Sequence, residues 1–120
     1  MMKDNRLLED ACISKDMKHA ILKIIILKII NRSGTHAYAI LQKIKKIQLL
    51  KSLYSGESMK NDVYNTLKIL EQHGYITPKA ASSNGRMKKV YSLTAKGGKS
   101  LKKTRAIYLK ALREVAKVMG

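Results

Sequence analysis

A mainly α-helical fold carrying one small β-hairpin, an α+β class, is predicted by three features of the 120-residue chain. Apolar residues recur at helical spacing in three segments before His73 and again after Gly98. Between Tyr75 and Thr94 the spacing falls to two around Asn84-Gly85, the strongest short hairpin signal. Gly74 and Gly97-Gly98 punctuate the chain where one kind of spacing gives way to the next. The length is that of one domain, and a hydrophobic content of 45% lets it bury a modest core.

Residues 1–13 are weakly patterned and read as an arm or a short helix. Ser14 is placed to cap a first strong helix, with Asp16 favourably in its first turn. Ala20, Ile21, Leu22, Ile24, Ile25, Ile26, Leu27, Ile29 and Ile30 make that helix apolar nearly all round. Such a helix packs on several sides or is shared with a second subunit. Asn31 to Gly34 ends it. Thr35 is the expected cap of a second helix, whose Ala37, Tyr38, Ile40, Leu41, Ile44 and Ile47 lie opposite Lys43, Lys45 and Lys46. A polar connection through Ser55-Gly56 leads to a third helix from about Met59 to His73, with Gly74 at its C′ position.

Two strands follow, Tyr75 to Ala80 and Met87 to Thr94, joined through Ser82-Ser83-Asn84-Gly85. Pro78, the only proline, suits an edge strand. Gly97-Gly98 reads as a hinge before one long basic helix, Lys99 to Met119. The domain plan is therefore an arm (1–13), a helical domain with a hairpin (14–97) and a C-terminal dimerisation helix (98–120). Three helices followed by a hairpin, in a basic domain, are the plan of a winged helix-turn-helix.

Charge points the same way. Lys and Arg number 25 against 8 Asp and Glu, a net +17, where a small soluble domain carries about 2–8. From Gln72 onward there are twelve basic residues and one acid, Glu114. A polyanionic partner is implied, and double-stranded DNA fits the fold. Other classes fall away. Cys12 is the lone cysteine, so neither an internal disulfide nor a multi-cysteine zinc site can form. His19, His36 and His73 are scattered without paired ligands, so no catalytic residue, metal site or cofactor is assigned. Gly98-Lys99-Ser100 resembles the end of a phosphate-binding loop, but Leu93 stands where that loop needs glycine. The apolar run Ala20 to Ile30 is broken by Lys23 and Lys28 and is too short to span a bilayer. Asp4, Glu9, Asp10 and Asp16 spoil a signal-peptide pattern. A cytoplasmic protein without a membrane partner is expected.

At about 100° per residue, Val63, Leu67 and Leu70 of the third helix share one side. Asn61, Asn65, Lys68 and Gln72 share the other, a stripe without acids, with Asp62 and Glu71 standing off to its sides. Asn and Gln pair in two-point fashion with adenine, and Lys reaches guanine or phosphate, so these four are the candidate base readers. Lys60 and Tyr64 on the same helix, and Lys79, Arg86, Lys88 and Lys89 on the hairpin, are the candidate backbone contacts. A purely solvated face would not require the absence of acids from Gln72 to Arg113. The tyrosines at 38, 64, 75 and 91 are expected mostly in the core.

The sequence also resembles the PadR-like transcriptional regulators. The residues that match are His36-Ala37-Tyr38-Ala39-Ile40, then Val63-Tyr64, Leu67, Leu70-Glu71, Gly74 and Ile76. Gly85-Arg86, Lys88-Lys89, Tyr91, Leu93-Thr94 and Gly97 complete the series. The likeness covers about Ile21 to Gly97, plus one long last helix as in the short members. Ala37 stands where glycine is usual, Val90 replaces a frequent aromatic, and the Ile47 to Ser58 connection is long. The resemblance implies a dimer, with a small hydrophobic or aromatic effector between subunits; lacking Trp, the chain cannot build an indole clamp.

The last helix supplies a matching seam. Leu101, Thr104, Tyr108, Ala111, Val115 and Val118 form an a/d series that Leu112 and Met119 widen. Two such helices across a two-fold axis would bury both stripes and ask for a pseudo-palindromic site. The reading is a sequence-specific DNA-binding regulator, a repressor and homodimer. Its alternative is a non-specific architectural DNA- or RNA-binding protein that uses charge alone.

Overall fold

The computed structural model describes residues 15–32, 34–54, 57–83 and 85–120. The expected arm with Cys12, the Ser14 cap, the Asp16 side chain and Asn84 lie outside them. Helices α1 (Lys15–Arg32), α2 (Ala37–Lys45), α3 (Gln48–Leu53) and α4 (Glu57–Gln72) precede strands β1 (Ile76–Ser83) and β2 (Arg86–Leu93), and α5 (Ala95–Met119) ends the chain. This is the winged helix-turn-helix plan, mainly α with one antiparallel hairpin.

The core is built around α1. Leu22, Ile26, Leu27 and Ile30 are buried against Ile40, Leu41 and Ile44 of α2 and against Met59, Val63, Leu67 and Leu70 of α4. Ile76, Tyr91 and Leu101 close it from the hairpin and α5. Ile21, Ile24, Ile25 and Ile29 are only partly buried, because one small domain cannot surround a helix that is apolar on every side.

Four local expectations change. The cap of α2 is His36, not Thr35: Ala39 N–H donates to His36 Nδ1 at 3.2 Å. Thr35 instead joins the sheet, exchanging both backbone hydrogen bonds with Tyr91 at 3.3 and 2.9 Å. The long polar connection holds an unexpected six-residue helix, α3, which Ile47 precedes as N-cap and which buries Leu50; Tyr54 just beyond it is buried as well. Finally, α5 starts at Ala95, so Gly97-Gly98 is no hinge. Thr94 caps the helix, its Oγ1 accepting from Gly97 N–H at 3.0 Å and donating to Gly74 O at 2.6 Å.

Gly74 does close α4 as expected. Its φ of 78° puts it in the left-handed region. Tyr75 N–H reaches Leu70 O at 2.9 Å and Gly74 N–H reaches Glu71 O at 3.1 Å, the paired bonds of a Schellman end. In the hairpin, Ser83 pairs with Arg86, so the reversal uses two positions, and Gly85 has φ 77°. Pro78 sits opposite Tyr91, whose N–H and C=O both turn away to Thr35. That makes Pro78–Tyr91 a non-hydrogen-bonded pair, and the missing proline N–H costs the ladder nothing.

Candidate nucleic-acid interface

Met59, Val63, Thr66, Leu67 and Leu70 turn α4 inward. The opposite side carries Asn61, Asn65, Lys68 and Gln72, all exposed, as the angular reading expects. Lys60 and Tyr64 are exposed on the side of α4 nearer the hairpin. The two carboxylates bordering this face are engaged. Asp62 Oδ2 lies 3.5 Å from His19 Nε2 of α1, and Glu71 Oε1 lies 3.6 Å from Lys89 Nζ of β2. Burial, and then the Asp62 carboxylate, push the Tyr54 phenol well above its usual range, and the Lys18 ammonium lies 4.6 Å from the centre of its ring.

Register sorts the basic residues of the wing. Side chains alternate across a strand, and Tyr91 faces the core. Lys79 stands opposite Val90, Lys88 opposite Ala81 and Arg86 opposite Ser83, so these three share the outer face of the hairpin. Lys89 falls on the other face, where it meets Glu71. The four wing cations therefore form one group of three and one that is already paired.

A groove between α2, α4 and the wing was not foreseen. It is lined by His36, Tyr38, Tyr64, Lys88, Lys89 and Tyr91. Tyr38, expected in the core, is 62% exposed, and Tyr64 is exposed too, whereas Tyr91 is buried and Tyr75 half-buried. The spacing already marks Tyr38: at about 100° per residue it stands about 110° from the direction of Ile40, Leu41 and Ile44. The N-terminus of α2, two lysines and two phenols thus open on one groove, a combination suited to an oxyanion.

In α5 the expected seam divides. Leu101 is 6% exposed and belongs to the core of its own chain. Thr104 is half-buried, and Tyr108, Ala111, Leu112, Val115 and Val118 are exposed. Among the described residues, no cluster of His, Cys, Asp or Glu could hold a metal ion, and no helix is long and apolar enough to cross a membrane.

Comparison with known proteins supplies the remaining step. The model of the transcriptional regulator PadR-like family matches residues 26–103. No curated protein matches the chain. A protein of solved structure from Streptococcus mutans UA159 is 31% identical, covering 82% of this chain and 81% of that one, with a TM-score of 0.60. A PadR-like transcriptional regulator from Bacillus cereus shares the fold at 21% identity, with 87% and 96% of the two chains covered and a TM-score of 0.72. So does a PadR family regulator from Eggerthella lenta, at 17% identity, 99% and 97% coverage and a TM-score of 0.71. The matched segment runs from the middle of α1 through the wing into α5, so the chain belongs to the PadR-like family and is a DNA-binding transcriptional regulator rather than an enzyme.

Proposed function

We propose that the protein is a cytoplasmic, sequence-specific repressor that binds a pseudo-palindromic site as a homodimer. The observation that carries this reading is the exposed, acid-free face of α4 set beside the three-cation face of the wing. Asn61, Asn65 and Gln72 read base edges in the major groove, and Lys68 on the same face reaches guanine or phosphate. Lys60, Tyr64, Lys79, Arg86 and Lys88 hold the backbone, and Lys89 joins them at the cost of its Glu71 partner. Thr104, Tyr108, Ala111, Leu112, Val115 and Val118 form the dimer seam, extended by the partly buried isoleucines of α1. Occupancy of a promoter suffices for repression, which is why repression is the simpler regulatory output. A small hydrophobic effector would act at that same seam, by changing how far apart the two α4 helices stand.

The test is a fluorescence-anisotropy titration at two salt concentrations. It compares duplex from the region upstream of the protein's own coding sequence with a shuffled duplex of equal composition. The upstream duplex is expected to bind at least about a thousandfold more tightly. Equal binding, weakening together with salt, would make the protein an architectural one that uses charge alone.

A further inference from the structure

A second crevice borders the α4 face on the side away from the wing. It has a volume of ≈ 300 Å³ and is lined by His19 and Lys23 of α1 and by Asp62, Asn65, Thr66 and Lys68 of α4. Two of the four candidate base readers therefore share a wall with α1, the helix whose sequence reads as buried core. We propose that this crevice is a phosphodiester-binding site, in which Lys23 and Lys68 hold the DNA strand on the far side of the groove from the wing. The inference rests on the reading that α4 faces DNA.

Three observations support it. First, Lys23 and Lys28 are the two cations inside the apolar run of α1, and both are exposed. They stand about 140° apart around the helix, so the position of each is set separately, and Lys23 leaves the core beside Lys68. Second, Asp62, the crevice's one carboxylate, is engaged by His19 at 3.5 Å, which leaves the two ammonium groups the stronger field. Third, the dimensions agree. A helix about 10–12 Å across fills a major groove about 12 Å wide, which brings a phosphate strand against each of its flanks. Tyr64 and Lys88 stand on one flank of α4. On the other the cations are Lys23 and Lys68, with His19 of α1 against Asp62. The ligand is the duplex backbone, so the contact adds affinity without discriminating sequence.

The experiment measures the salt dependence of binding of the full-length chain to a shuffled 30-bp duplex. It uses wild type, Lys23→Gln, Lys23→Arg, Lys28→Gln and Lys68→Gln. Lys23→Gln and Lys68→Gln are each expected to lower the slope of log affinity against log salt by about 0.9. Lys23→Arg keeps the slope, and Lys28→Gln, which removes the same charge from the other side of α1, leaves it unchanged. If Lys68→Gln lowers the slope and Lys23→Gln does not, α1 is off the DNA and this inference falls while the α4 reading stands. If Lys23→Gln and Lys28→Gln lower it equally, the effect is overall charge and no site exists. If neither Lys23→Gln nor Lys68→Gln moves the slope, the α4 reading fails as well.

Discussion

Gly97 is confined by a neighbour, not by its backbone angles. A Cβ built there would lie 2.0 Å from the carbonyl oxygen of Tyr75, backbone that cannot swing aside, and 3.2 Å from Leu93 Cδ2. This close approach lets Thr94 cap α5 while donating to Gly74, and lets Lys96 Nζ reach His73 O at 2.7 Å at the C-terminus of α4. The exit of α4 and the entry of α5 are thereby joined. Gly98 differs, since nothing lies within 4 Å of its added Cβ. Gly97→Ala is expected to destabilise the fold by about 3 kcal/mol or more, through overpacking against backbone. Gly98→Ala is expected to stabilise it by about 0.5–1 kcal/mol, because alanine suits a helix interior better than glycine. Chemical denaturation of the two variants measures both, and equal effects would mean the joint is slack. The sequence shows that two glycines follow the wing; it cannot show that Gly97 meets the carbonyl of Tyr75, 22 positions earlier, and so the pair reads as a hinge.

At the scale of elements, α4 and the hairpin were legible because each has enough residues to display its period. Val63, Leu67 and Leu70 fix the inner side of α4, and the Asn-Gly turn fixes the strand register that places Lys79, Arg86 and Lys88 on one face. By contrast α3, six residues long, has under two turns in which to show a stripe, and Leu50 alone of them is buried. The Thr35–Tyr91 bridge is a tertiary pairing that no local pattern encodes. The face assignment makes a graded prediction. Replacing Arg86 or Lys88 by Gln should lower the salt slope of binding by about one each. Lys89→Gln should lower it less, because that ammonium already meets Glu71. In the same titrations Asn61→Ala or Asn65→Ala should each cost about 1–3 kcal/mol on the cognate duplex and little on shuffled DNA. A uniform loss on both duplexes would reduce α4 to a backbone contact.

For the whole molecule the question is what covers α5. The radius of gyration is 16.4 Å, where a compact chain of this length would have about 13–14 Å. The part of α5 after Leu101 adds about 27 Å of helix at 1.5 Å per residue, and of its side chains only Thr104 is half-buried, the rest being exposed. Leu112 is 64% and Val118 86% exposed, with Tyr108 and Val115 between them on the same side. A self-complementary contact would remove that surface from water and also set the spacing of the two α4 helices, about 34 Å apart for half-sites one turn of DNA apart. Leu112→Asn combined with Val115→Asn leaves the charge and the single-chain core untouched. In sedimentation at micromolar concentration the variant is expected to run as a monomer where the wild type runs as a dimer. Its affinity for a two-half-site duplex should fall toward that for a single half-site, because the second contact is no longer intramolecular. A wild type that sediments as a monomer, or a variant that keeps full affinity for the paired site, would separate DNA binding from α5 and leave its apolar stripe without a role in recognition.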